Sequence, residues 1–77
     1  MSCYAVISAS GCKWCDLAVE ELRSRREEID VLNLSDRPAL RNLFKMAGLT
    51  QVPQIFSPEG DHIGGYHELR ALFKGEP

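Results

Sequence analysis

Tyr4-Ala5-Val6-Ile7-Ser8-Ala9-Ser10-Gly11-Cys12-Lys13-Trp14-Cys15 carries two structural signals and one chemical one. Tyr4 to Ser8 is a short β-branched and aromatic run, bounded by the Ser-Ala-Ser-Gly segment that ends at Gly11. It reads as a buried strand. From Lys13 to Arg26 the chain is rich in Leu, Ala, Glu and Arg and holds neither Gly nor Pro. That stretch reads as a helix, with Trp14, Leu17, Ala18 and Leu22 on one face. A Cys-x-x-Cys therefore falls on the junction between a strand and a helix.

That position gives the cysteines their meaning. Cys12 is expected at or just before the helix N-terminus, where unpaired backbone N–H groups and the positive end of the dipole favour a thiolate. Thiols so placed have pKa values of roughly 3.5–7.5, against about 8.5 for free cysteine. Cys15, one turn deeper, is placed to attack a mixed disulfide formed at Cys12, which is the arrangement that disulfide exchange requires. The competing reading is a zinc site completed by His62 and His67. It is disfavoured because two expected strands and a whole helix separate Cys15 from His62, where a zinc finger has a short connection. Lys13 adds charge beside Cys12, and Trp14 suits the rim of a substrate site better than a core. Cys3, at the start of the first strand, reads as a small core residue.

Downstream, Ile29 to Leu34 alternates apolar and polar residues and reads as a second strand. Ser35-Asp36-Arg37-Pro38 looks like a helix start, with a capping side chain followed by Pro in the first turn. Leu40, Leu43, Phe44 and Ala47 then recur at i, i+3, i+4 and i+7, and Gly48 closes that helix. Gln54 to Ser57 is a short strand, Pro58 to Asp61 a turn, and His62 to Gly64 its hairpin partner. Tyr66, Leu69, Leu72 and Phe73 define a third helix before the Gly75-Glu76-Pro77 tail. The order is β-α-β-α-β-β-α. It predicts an α/β fold with one four-stranded mixed sheet flanked by three helices: a right-handed parallel β-α-β unit, then an antiparallel hairpin.

Composition sets the outer limits. With 77 residues the chain makes a single domain, residues 1–77, because two cores cannot be enclosed by so little sequence. A net charge of −2 with acidic and basic residues intermixed argues against nucleic acid, which needs a concentrated basic face. The cluster Arg23, Arg25 and Arg26 reads as a solvated helix end that complements the dipole. The apolar run Tyr4–Ile7 is far shorter than the ~20 residues of a membrane span, and no cationic leader is evident. The expected setting is a reducing cytoplasm, where a close cysteine pair is catalytic or metal-binding rather than a staple.

Two further segments bear on the site. Val52-Pro53 leads into a strand. A cis bond there would present the Val52 N–H and C=O to an extended peptide beside Cys12; a trans turn proline is the commoner case. Ile63-Gly64-Gly65-Tyr66 puts two glycines before a helix, either as a tight turn or as a close backbone approach offering N–H donors to a carboxylate.

Taken together, Cys-x-x-Cys after the first strand, the Thr50 to Phe56 segment T-x-V-P-Q-I-F and the Ile63-Gly64-Gly65 triplet resemble the glutaredoxin family in order and approximate spacing. The stretch from Val52 to Tyr66, followed by Glu68-Leu69-Arg70, looks especially like the small glutaredoxins of tailed bacteriophages. The resemblance implies a thioredoxin-like fold, cis-Pro53, Cys12 as nucleophile and Cys15 as resolving thiol. It implies glutathione as co-substrate, lying along Gln51, Val52 and Pro53 with its γ-glutamyl end at Gly65, Tyr66 and His67. Lys13 and Trp14 flank that path, and Arg41 or Lys45 meets the glycine carboxylate. It implies a monomer acting on disulfide-containing proteins, ribonucleotide reductase among them, in a host cytoplasm if phage-encoded, with no metal. Two rivals accompany it: a dimer binding an iron–sulfur cluster through Cys12 and glutathione, and a thioredoxin-like reductant served by thioredoxin reductase. The chain departs from the family pattern in carrying Lys13-Trp14 for Pro-Tyr, Gln51 for Thr and His67 for an acidic residue.

Overall fold

The computed structural model describes residues 3–75. Its elements are β1 (Tyr4–Ser8), α1 (Lys13–Ser24), β2 (Ile29–Asn33), a 3-10 turn (Leu34–Asp36), α2 (Pro38–Met46), β3 (Gln54–Phe56), β4 (His62–Gly64) and α3 (Tyr66–Lys74). The strands form one sheet in the order β2-β1-β3-β4. β1 runs parallel to β2, with Val6 opposite Val31, and antiparallel to β3, with Val6 opposite Ile55. β3 and β4 pair antiparallel with an irregularity in register between Ile55 and Phe56. Of the expected tail, Glu76 and Pro77 lie outside the described residues.

Side chains of β1 alternate as a period-two strand must. Tyr4, Val6 and Ser8 are buried, while Ala5 and Ile7 are only half-buried. Val6 packs in a cluster with Tyr4, Ala18, Leu22, Ile55, Leu69 and Phe73, so α1 and α3 close over one face of the sheet. Leu22, Ile55, Leu69 and Val6 are fully buried, and each contributes roughly 1.5–3 kcal/mol from removal of apolar surface from water. Glu21 ties the two helices at the rim, accepting from Arg25 Nε at 2.7 Å and lying 3.8 Å from Arg70 Nε. The Arg25 guanidinium also stacks 4.0 Å from the Phe73 ring centroid, so this basic residue packs as well as complementing the dipole.

Local chemistry corrects several sequence-based expectations. The apolar face of α1 is Cys15, Ala18 and Leu22, with Val19 packed alongside, whereas Trp14 remains 44% exposed. Ala18 and Leu22 are thus buried as expected and Leu17 is half-buried, while Cys15 rather than Trp14 completes the buried face. α1 ends at Ser24 rather than Arg26. Its last carbonyls are taken by Arg26 N–H to Arg23 O at 2.9 Å and Glu27 N–H to Leu22 O at 3.1 Å, a Schellman closure with Arg26 at φ +60°.

β2 stops at Asn33, because Asn33 Oδ1 accepts from Ser35 N–H at 2.8 Å and caps a 3-10 turn that begins at Leu34. Ser35 does not cap α2. Its Oγ accepts from Ser10 N–H at 3.1 Å, and the N-cap of α2 is Arg37, with no side-chain bond and Pro38 following. α2 does close at Gly48, whose φ of +78° suits the left-handed position. Its N–H donates to Lys45 O while Leu49 N–H donates to Phe44 O. Of the stripe expected on α2 only Phe44 is buried; Leu40 is half-buried, and Leu43, 61% exposed, and Ala47 face solvent.

Candidate active site

The site is built where β1 hands the chain to α1. Cys12 has extended backbone angles and is the N-cap of α1. Its Sγ accepts from Cys15 N–H at 3.1 Å, taking the place that a Ser or Asp oxygen holds in an ordinary cap. One orphan helix N–H is thus aimed at the Cys12 sulfur, which sits at the positive end of the α1 dipole. The two cysteines stand as a disulfide pair with Cα atoms 5.2 Å apart. Cys12 is half-buried and Cys15 is 2% exposed. An outside reagent therefore meets Cys12 first, and Cys15 reaches only a partner already attached there.

Facing Cys12 is the loop into β3, where the Val52–Pro53 bond is cis. Val52 O lies 3.8 Å from Cys12 Sγ. A groove of about 290 Å³ runs from this point, lined by Trp14, Gln51, Val52, Pro53, Gly65, Tyr66 and His67. Seven of the sequence-derived site residues therefore share one cleft beside the cysteines. Trp14, Tyr66 and His67 form its aromatic wall, with ring centroids 4.9 Å apart for Trp14–His67 and 5.7 Å for Trp14–Tyr66. Lys13 Nζ lies 5.6 Å from the Trp14 ring centroid. Arg41 is not part of this cleft. It lines a neighbouring groove with Lys45, and the two grooves meet at Val52.

Two contributors escaped the sequence reading. Glu68 lies at the third position of α3, and its Oε1 accepts from Gly65 N–H at 2.7 Å. That bond, above all, holds the Glu68 carboxyl below its usual range, with smaller help from its own backbone N–H and from His67. It is half of a capping box, since Gly65 has no side chain to return the bond. Glu three places after a helix-opening position was the signal available for it. The other is Gln54. Its Nε2 donates to Gln51 O at 3.0 Å while its Oε1 accepts from His62 Nε2 at 2.6 Å, and the His62 ring stacks on Phe56 with centroids 5.0 Å apart. This chain of bonds braces the loop that carries Val52 and Pro53; no sequence period announces it.

With His62 held by Gln54 and His67 stacked on Trp14, the two cysteines and two histidines do not assemble as a metal site. Among the described residues no group of three or more His, Cys, Asp or Glu side chains converges to hold a metal ion. Among the same residues no helix is long and apolar enough to cross a membrane. The Arg70 guanidinium, which donates to Tyr66 Oη at 3.0 Å, is held charged even more firmly than usual by that bond, and it fixes the outer edge of the aromatic wall.

A β-α-β-α-β-β-α sheet with a Cys-x-x-Cys capping its first helix opposite a cis-proline loop defines the thioredoxin-like class of dithiol proteins. The glutaredoxin family model matches residues 4–63, and the chain belongs to the glutaredoxin family. It is 32% identical over 74 residues to a glutaredoxin of Enterobacteria phage T4, a match covering 82% of this chain and 85% of the relative. Its structure superposes on the dithiolic glutaredoxin 2-C-Grx1 of Trypanosoma brucei brucei with a TM-score of 0.80 at 31% identity, over 95% of this chain and 78% of that one. A glutaredoxin–glutathione complex from buckwheat shares the fold, with a TM-score of 0.78 at 23% identity over 95% and 69% of the two chains.

Proposed function

We propose that the protein is a glutathione-dependent thiol–disulfide oxidoreductase working by a dithiol cycle. The observation that carries this reading is Cys12 Sγ at the N-cap of α1, accepting from Cys15 N–H and bordering the Val52–Pro53 groove. In the reduced protein the Cys12 thiolate attacks a substrate disulfide, forming a mixed disulfide and releasing one substrate thiolate. Cys15 gives up its proton and attacks Cys12 Sγ, which expels the second substrate thiol and closes the Cys12–Cys15 disulfide. Two glutathione thiols then restore the dithiol and leave as glutathione disulfide, so electrons and protons balance. The cap bond and helix dipole stabilise the thiolate at the attacking and leaving stages.

Glutathione fits along Gln51, Val52 and Pro53, its cysteine over Cys12 and its γ-glutamyl end toward Gly65, Tyr66 and His67. Arg41 lies beyond Val52, on the side where the glycine carboxylate would emerge. Substrates are proteins with accessible disulfides, ribonucleotide reductase among them, acting as the protein's partners in a cytoplasm. The test is reduction of a small glutathione mixed disulfide with glutathione as donor, repeated with thioredoxin reductase in its place. Turnover with glutathione alone is expected. Turnover only with the reductase would make this a thioredoxin-like reductant in a glutaredoxin shape. Cys12→Ser should abolish turnover, whereas Cys15→Ser should still accept glutathione at Cys12.

A further inference from the structure

We propose that the groove between α2 and the Val52 loop seats the side chain following the reactive cysteine of a protein substrate, an apolar residue with an acidic one behind it. The inference rests on the glutathione orientation proposed above and extends it to protein partners. This second groove, about 410 Å³, is walled by Leu34, Phe44, Leu49 and Val52, with Arg41 and Lys45 also on its lining. Val52 belongs to it and to the redox cleft alike, and Val52 O is 3.8 Å from Cys12 Sγ. The groove therefore starts within one residue's reach of the attacked sulfur.

Direction along the site decides which residue arrives there. With the γ-glutamyl end at Gly65, Tyr66 and His67, an extended chain passes its cysteine over Val52 and continues toward α2. The residue C-terminal to that cysteine then faces Leu34, Phe44 and Leu49. Glutathione carries glycine at that position, with no side chain, and leaves uncovered a lining whose floor, Leu34 and Phe44, is buried and whose sides, Leu49 and Val52, are half-buried. A Leu or Phe would cover it, and burial of such a side chain is the main source of affinity at a contact of this kind. The charged side chains on the lining are both cationic, and Arg41 and Lys45 are exposed, so the next position favours a carboxylate.

The test uses Cys15→Ser protein, which retains a partner at Cys12 as a stable mixed disulfide. Peptides Gly-Cys-Leu-Glu, Gly-Cys-Gly-Glu, Leu-Cys-Gly-Glu and Gly-Cys-Leu-Lys compete at equal concentration in a glutathione redox buffer, and the adducts are counted by mass spectrometry. Leu after the cysteine is expected to win over Gly by about tenfold, equivalent to about 1.4 kcal/mol, while Leu before it gains little. Lys45→Glu is expected to erase the preference for Glu over Lys at the last position. Equal occupancy by the first three peptides would overturn the proposal, as would a concentration-dependent dimer that covers the groove and blocks every peptide. If glutathione itself formed no adduct at Cys12, the site reading rather than the groove would be at fault.

Discussion

Gly64→Ala tests how tightly the turn into α3 is built. Gly64 has φ +118°, a region that L side chains rarely adopt. A Cβ placed there would lie 2.9 Å from Glu68 Cγ and 3.1 Å from Glu68 Cβ. Backbone strain of this kind costs about 1–3 kcal/mol, and the stiffer unfolded chain gives back about 0.4–1 kcal/mol. The net loss is about 1–2 kcal/mol, before counting the displacement of Glu68 from the rotamer that accepts from Gly65 N–H. For a domain of this size that is a fall in Tm of about 5–15 °C. Thermal and urea unfolding followed by circular dichroism measure it. The effect should also reach the site, because Gly65 lines the cleft beside Pro53, so KM for a glutathione mixed disulfide should rise while the Cys12–Cys15 junction stays intact. An unchanged urea midpoint would refute the reasoning, since neither the strain nor the contact could then be real.

Three more outcomes are expected. Arg26→Gly should stabilise the protein by about 0.5–1 kcal/mol, because Arg26 holds the left-handed position of the α1 closure that glycine fills without strain; urea titration reads it. Gln54→Leu should raise KM for disulfide substrates about 2–5-fold, since each bond of the His62–Gln54–Gln51 brace is worth about 0.5–1.5 kcal/mol. His62→Phe, which keeps a ring against Phe56 but loses the donor, should give part of that rise. Glu68, with its carboxyl held low by Gly65 N–H, contributes fully above the unfolded carboxylate pKa of about 4.3. That contribution is lost as pH falls through the lower folded value, so the urea-midpoint gap between wild type and Glu68→Gln should be wide at pH 7 and narrow at pH 3.

The element order was readable because each segment showed a clear period and stop signal: β-branched residues in β1, Pro38 opening α2, Gly48 ending it. The errors sit where one local interaction outcompetes another. Ser35 has the chemistry of a cap but bonds Ser10, because Asn33 already caps the 3-10 turn two residues earlier. α1 ends two residues early although Arg is a good helix former, because Glu27 N–H is drawn to Leu22 O and Arg26 must turn left-handed. The face expected for α1 holds at Ala18 and Leu22, which are buried, and Trp14, which suits a rim better than a core, is exposed. In the fold the buried place goes to Cys15, and the aromatic ring stacks on Tyr66 and His67 across the cleft.

That exchange bears directly on the chemistry. Burial shields Cys15 from outside reagents and keeps it within reach of Cys12, as the proposed order of attack requires. Had Trp14 taken the core position, α1 would be rotated about its axis and Cys15 would lose its burial. The cysteines themselves were legible at once because their spacing is local, three residues apart on one turn. The cleft was legible only in pieces, since Trp14, Pro53 and His67 come from three separate segments and meet only when β3 pairs with β1 and α3 packs on α1. The brace through Gln54 was not legible at all: a glutamine at a strand start has no period, and His62 becomes its neighbour only across the β3–β4 pairing. A local motif thus marks the redox-active pair, while the grooves on either side of Val52 are assembled by long-range packing, which is why their linings come together only in the fold.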